Sequence, residues 1–367
     1  MRRAALTLPA AGDPQARVAG LTVLLRQLLS LQDAGIAEVD VELDERTRLA
    51  LVNDPRLRLS LVPPSPAHAP PLLTAPQGLV WHRGLPARLV KAGWRGDLRE
   101  APLTPEEFVI PADTPRGRRE AEERLLQSLI KPTDGVISRG LNRKISLRVT
   151  RALLDTSLTP NQMTWIAAVF GALAIGIVLW GGTAMLIPGA LLLQVQSILD
   201  GCDGEISRLK YIRSRLGEWL DQVGDDVVNV GYFAAAGWVT WQAGSAVAFW
   251  LTVVGATLHV VYQLSLYAAL VFKGGGSGSV TSIRWWGQKD FTPETPKAPP
   301  TPLTRLKEAV EIAGRRDFFT FLYLPAALVG LTEIALAWSA IIFSVSGLTT
   351  GLQWVLRGGP EPAVRTS

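Results

Sequence analysis

From Thr159 onward the chain is written in apolar runs of about 20 residues, the length of helix that crosses the hydrocarbon core of a bilayer. In lipid every backbone polar group must be satisfied internally, so such runs call for α-helices. Six runs qualify, at about 160–181, 184–207, 217–241, 245–272, 318–333 and 335–356. The expected fold class is an α-helical integral membrane protein with six transmembrane helices. Residues 1 to about 115 differ in kind, with short apolar runs, many charges and a Pro-rich passage, "LVPPSPAHAPP". They predict a small cytoplasmic α/β amino-terminal domain, and a mean hydropathy of +0.21 alongside 19% charged residues averages over these two halves.

Basic residues near span ends favour the cytoplasmic side and orient the helices. The turns Gly181–Thr183, Gln242–Ser245 and Leu331–Ala335 carry no Lys or Arg. The linker after span two holds Arg208, Lys210, Arg213 and Arg215, and the segment after span four is also rich in Lys and Arg. Both termini are therefore expected in the cytoplasm, with Trp180, Trp241 and Trp338 at the outer interface. The opening "MRRAALTLPAAG" is interrupted by Pro9 and does not read as a signal peptide. Cys202 is the single cysteine, which excludes an internal disulfide framework. Residues 116–158 read as a linker and a basic amphipathic helix lying on the inner leaflet, with Arg139, Arg143, Lys144, Arg148 and Arg151 between apolar positions. Thr159 and Pro160 suit the cap and first position of the first span.

Against this apolar text stand five aspartates at the cytoplasmic ends of spans two and three: Asp200, Asp203, Asp221, Asp225 and Asp226. Asp200 and Asp203 are three residues apart, Asp221 and Asp225 four, so each pair shares a helix face. Four converging carboxylates repel one another unless a cation lies between them. Oxygen-only donors suit Mg²⁺ or Mn²⁺, and such ions commonly complete their shell with phosphate. Gly201, Gly204 and Gly217 interleave with the acids and permit close approach to the backbone. Asp226 is expected to be solvated, and His259, lone in a span, to be a packing residue.

The spacing Asp200, two residues, Asp203-Gly204, two residues, Ser207-Arg208, eight residues, Gly217, three residues, Asp221, three residues, Asp225 resembles the signature of the CDP-alcohol phosphotransferases. Every interval is kept, and Ser207 stands where that signature has alanine. The resemblance implies a membrane enzyme, often a homodimer, that moves the substituted phosphate of a CDP-alcohol onto an acceptor alcohol and releases CMP. It implies Asp200, Asp203, Asp221 and Asp225 as metal ligands, with Asp225 as ligand or as catalytic base, and Gly204, Ser207, Arg208 and Gly217 lining the nucleotide site. The membrane domain would cover residues 159–358. Lys210, Arg213, Arg215, Arg315 and Arg316 are candidates for the phosphate of a phosphorylated acceptor, or simply enforce topology.

The stretches "KPTDGVISRGLNRKIS" and "RRDF" resemble the inositol-phosphate branch of that family, the di-inositol phosphate phosphate and phosphatidylinositol phosphate synthases. The front domain resembles sugar-phosphate nucleotidyltransferases through "AGLTVLLRQLLSLQDAGIAEVDVEL", but its "AAGDPQAR" has Pro14 where their glycine-rich phosphate loop needs its second glycine. Residues 1–115 are thus expected to be a degenerate, inactive domain, dispensable for CMP release. The insert 273–316 begins "KGGGSGS" and continues proline-rich, which predicts a flexible segment. Two rival classes are a catalytically dead anchor, which the intact set of acids disfavours, and a transporter, which would place carboxylates near mid-bilayer. No nucleic-acid partner is expected.

Overall fold

The computed structural model of the chain describes residues 2–7, 15–66, 68–131, 134–276, 278–284 and 312–362. It divides into two compact units, one of Met1–Pro132, Leu147–Leu158 and Glu205–Ile212, the other of Thr133–Ser146, Thr159–Gly204 and Arg213–Ser367.

The first unit is built on alternating strands and helices, the pattern that leads to a parallel sheet. Its strands are β1 (Arg3–Thr7), β2 (Arg17–Val18), β3 (Leu21–Thr22), β4 (Glu38–Val41), β5 (Ser60–Val62), β6 (Leu73–Pro76), β7 (Leu79–Trp81), β8 (Gly96–Asp97) and β9 (Val109–Pro111). Five of them form one parallel sheet in the order β5-β4-β1-β6-β8, with Ala5 opposite both Asp40 and Thr74. Helix α1 (Val23–Asp33) starts at Thr22, whose hydroxyl accepts the Leu25 N–H at 3.3 Å. It ends where Gly35 turns the chain at φ +78°, a conformation that favours glycine. Leu24, Leu28 and Leu31 of α1 pack with Val39, Leu73, Leu85 and Leu98 into the core. Helices α2 (Glu45–Val52), α3 (Leu85–Lys91) and α4 (Pro115–Gln127) complete the α/β part. The degenerate phosphate loop lies mostly outside the described residues.

A π-helical turn, Ser138–Asn142, leads into α5 (Arg143–Leu153). The buried positions here are polar, Asn142, Ser146 and Thr150 at helical spacing, whereas Val136, Leu141 and Ile145 are exposed. Arg139, Lys144, Arg148 and Arg151 of the same segment are exposed as well.

The second unit is helical: α6 (Pro160–Gly181), α7 (Leu186–Lys210), α8 (Arg215–Gln242), α9 (Ala246–Phe272), α10 (Arg316–Leu328) and α11 (Thr332–Arg357). Thr159 and Gln162 form a reciprocal capping box with Pro160 in the first turn, as the sequence leads one to expect. α6 and α8 approach closely at Gly171, where a Cβ would stand 2.4 Å from Val228 Cγ2. Among the described residues, three stretches are long and apolar enough to cross a membrane: Pro160–Lys210, Ala246–Phe272 and Thr332–Arg357. The expected fifth span ends early, because α10 stops at Leu328 before Gly330 takes φ +71°. Its 13 residues reach only about 20 Å at 1.5 Å per residue. The Trp338 indole N–H donates to the Ala313 carbonyl at 2.9 Å, near the start of α10. The start of the 273–316 insert is ordered against α8: Trp219 Nε1 donates to Gly276 O at 3.1 Å. Strand β10 (Ile283–Arg284) pairs antiparallel with β11 (Glu361–Pro362), and residues 285–311 lie outside the described residues.

Candidate functional site

Helix geometry does most of the assembly. α7 carries Asp200 and α8 carries Asp221 and Asp225, and these three carboxylates each bring an oxygen to within 4.8 Å of the others. Asp203, three residues beyond Asp200, is not in that group. It is buried, and its Oδ2 accepts the Thr164 hydroxyl of α6 at 2.5 Å. Thr164 escapes a sequence reading because it sits in the capping text "TPNQMT" and looks like part of a helix start.

Arg316, at the first position of α10, answers the charge. Its Nη2 donates to Asp200 Oδ2 at 2.5 Å, and its Nη1 pairs with Asp225. Gln196 Nε2 reaches Asp225 Oδ1 at 3.4 Å. The signal for Gln196 was present in the sequence as a polar residue inside "LLLQVQSIL", where an amide without a task would be costly. Next along the chain, Asp317 Oδ2 accepts the Ser138 N–H at 2.8 Å and so caps the turn that opens the α5 segment. Gly135 makes this possible, since a Cβ there would lie 2.1 Å from that same oxygen. The two stretches "TDGVIS" and "RRDF" thus meet through Ser138 and Asp317.

Asp226 is not solvated, contrary to expectation. Its Oδ2 accepts from Gln222 Nε2 within α8 at 2.9 Å and from Tyr267 OH at 2.8 Å, and the second bond ties α8 to α9. His259 is buried, stacked on Phe343 at 3.9 Å between centroids and 3.0 Å from Gln263 Nε2. Cys202 is buried, and its Sγ donates to Ser146 O at 3.5 Å. Gly217 lies against α6, where a Cβ would meet Asn161 Oδ1 at 2.6 Å.

Ser207, Arg208 and Lys210 fall in the first unit. The Ser207 hydroxyl donates to Ile212 O at 2.5 Å, closing the turn after α7, a bond that alanine could not make. Lys210 Nζ donates to Thr156 O at 2.8 Å, so its ammonium is committed to the main chain. Arg213, Arg215 and Arg315 are exposed.

The donor set fits a hard divalent cation: three carboxylates gathered within 4.8 Å, at a spacing that ligands of one small ion can share. A family model for CDP-alcohol phosphatidyltransferases matches residues 157–346, just over half of the chain. The bifunctional IPC transferase and DIPP synthase of Aquifex aeolicus (strain VF5) is 38% identical over 129 residues, 35% of this chain and 29% of that protein. Its namesake from Thermococcus kodakarensis is 38% identical over 130 residues, again 35% of this chain and 29% of the relative. The one from Rubrobacter xylanophilus is 37% identical over 145 residues, 38% of this chain and 31% of the relative. The matched part is therefore less than a third of the length of these relatives.

Proposed function

The chain belongs to the CDP-alcohol phosphatidyltransferase family, and on that premise we propose that it transfers the substituted phosphate of a CDP-alcohol to the hydroxyl of an acceptor alcohol, releasing CMP. The observation that carries the reading is the convergence of Asp200, Asp221 and Asp225 within 4.8 Å. With Asp203 they would hold Mg²⁺ or Mn²⁺. A divalent ion there supplies electrostatic stabilisation of the charge that develops on phosphate oxygens.

The chain's own residues supply the rest. Asp225 takes the proton of the acceptor hydroxyl, as an ionised carboxylate within reach can do, and Gln196 orients it. Thr164 fixes the rotamer of Asp203 through its 2.5 Å hydrogen bond. Gly204, Ser207, Arg208 and Gly217 line the nucleotide site. Arg316, beside Asp200 and Asp225, is placed to receive the phosphate of a phosphorylated acceptor. Arg315 adds positive charge next to Arg316, and Arg213 and Arg215 add it just before α8, while Lys210 is engaged elsewhere. The relatives' common name, DIPP synthase, supports an acceptor of the inositol phosphate type.

In this reading α6 to α11 are embedded in the inner membrane, with α10 as the short fifth member, both termini cytoplasmic and the protein a homodimer. The exposed Trp165, Val169, Leu173, Trp250 and Val254 support lipid contact around α6 and α9. The test is CMP release by purified protein with Mg²⁺ or Mn²⁺ and a panel of CDP-alcohols and acceptors. Release with at least one pair is expected; no release with any pair would overturn the reading.

A further inference from the structure

The family signature leaves eight positions open between Arg208 and Gly217. In the first unit, the beginning of that stretch is a turn whose backbone is gripped by the α/β part. Arg83 Nη1 donates to Arg208 O at 3.1 Å, and Arg56 Nη1 donates to Lys210 O at 2.8 Å. Neither arginine is free to wander. Asp33 holds Arg83 at 2.8 Å, and Asp54 holds Arg56 through two bonds of 2.8 and 2.6 Å. Each guanidinium is thus pre-aimed by a carboxylate and spends a remaining N–H on a main-chain carbonyl of the turn.

Tyr211 supplies the third hold. Its side chain is 9% exposed and packs within the same core as Leu28, Leu31 and Leu85. The Arg83 guanidinium carbon lies 4.4 Å from its ring centroid, a cation–π contact. The residue itself adopts φ +55°, in the left-handed region that a bulky side chain enters only when its surroundings enforce it. The Lys210 ammonium, bound to Thr156 O, and the Ser207 hydroxyl, bound to Ile212 O, complete the fixation.

We propose that Arg56 and Arg83 are positioning residues for the transfer reaction: the α/β unit holds the turn Arg208–Ile212 in a strained conformation that presents the nucleotide-binding part of the signature. This rests on the proposed function above. α7 runs unbroken from Leu186 to Lys210, so Ser207 and Arg208 share one helix with Asp200 and Asp203. Because the two arginines bond to carbonyls rather than to side chains, they constrain backbone conformation directly. A domain whose own phosphate loop has Pro14 in place of its second glycine thereby keeps a task in the reaction.

The experiment measures CMP binding by the full-length protein in the presence of Mn²⁺, together with Mn²⁺ binding alone and amide hydrogen exchange of residues 207–213. The variants are Arg56→Ala with Arg83→Ala, the pair Arg56→Lys with Arg83→Lys, and Arg88→Ala as control. Arg88 pairs with Glu107 at 2.6 Å in the same unit and also donates to the Pro102 carbonyl. Expected is a loss of CMP affinity of about tenfold in the double alanine variant, the scale for two lost charged hydrogen bonds of which part is regained from solvent. Mn²⁺ affinity stays within about twofold, exchange across the turn rises, the lysine pair recovers most of the CMP affinity, and the control matches wild type. Unchanged CMP affinity in the double alanine variant overturns the proposal, as does an equal loss in Arg88→Ala or a parallel loss of Mn²⁺ binding. Wild-type protein that binds no CMP overturns the proposed function itself, a result distinct from failure at the two arginines.

Discussion

Arg316 and Asp200 come from α10 and α7 and are joined at 2.5 Å, and the same guanidinium also reaches Asp225 on α8. One basic side chain therefore ties together three helices of the acidic cluster. Its neighbour Asp317 caps the α5 segment at Ser138. Two consecutive residues thus couple the cluster to the segment that exposes its apolar side chains.

Removing a carboxylate from the cluster should remove the metal. Asp200→Asn and Asp221→Asn are each expected to lower CMP release by at least about 100-fold and to weaken Mn²⁺ binding in direct titration. EDTA in excess should abolish release by wild type; full release under EDTA would contradict the metal requirement.

Asp225 is where base and ligand roles part. If it accepts the proton, Asp225→Asn should cut kcat by roughly 10² while Mn²⁺ and CDP-alcohol affinities change only a few fold. Titrating Mn²⁺ into Asp203→Asn and Asp225→Asn side by side decides the matter, since equal losses of metal affinity would remove the base role.

Arg316→Ala leaves two carboxylates without their cation and deprives an acceptor phosphate of its partner. KM for a phosphorylated acceptor should rise about tenfold or more. Metal affinity should hold or increase, because a like charge beside the metal is gone. Steady-state kinetics with varied acceptor, paired with Mn²⁺ titration, measures both, and a fall in metal affinity would count against this account.

At Gly135 even one methyl group is excluded by the Asp317 carboxylate, 2.1 Å from where the Cβ would be. Gly135→Ala should dislodge Asp317 from Ser138 and cost about 1–2 kcal/mol, the usual worth of a helix cap. A lowered Tm, with Asp317→Asn less affected than Asp317→Ala, is the expected pattern in thermal unfolding.

Tyr211 changes what is expected of a truncated protein. From the sequence, a chain starting near Arg118 should still release CMP. With the α/β core removed, a buried tyrosine and the carbonyls of Arg208 and Lys210 lose their partners. Loss of most CMP release is now expected, whereas the full-length protein should show no CTP-dependent formation of a CDP-alcohol. Undiminished release by the truncated chain would show that the turn holds its shape unaided.

How much of this was written in the sequence can be judged residue by residue. Periodicity and run length were enough to place α6 to α9 within a few residues, because an apolar helix is determined by local composition and by its own hydrogen bonds. Thr159 and Pro160 announced the start of α6 for the same reason, since a cap acts within one turn. The spacing of Asp200, Asp203, Asp221 and Asp225 put pairs of acids on helix faces, as three- and four-residue intervals must.

Which of those acids meet is a different kind of fact, set by how α6, α7, α8 and α10 pack. Only packing could turn Asp203 toward Thr164 while Asp200, Asp221 and Asp225 converge, or bring Arg316 across more than a hundred residues to Asp200. Gln222, one turn before Asp226 on α8, was legible as its partner from spacing, but Tyr267 comes within its reach only once α8 and α9 lie side by side. The seat of Tyr211 in a leucine core and the aim of Arg56 and Arg83 at carbonyls leave no mark in composition or period. Hydrogen bonds to the main chain are indifferent to the side chain that the accepting residue bears, so no pattern of residue types records them. The sequence by itself therefore determined the helices, their acids and the family, and tertiary structure alone decided which groups face one another, because that depends on how separately determined elements pack in space.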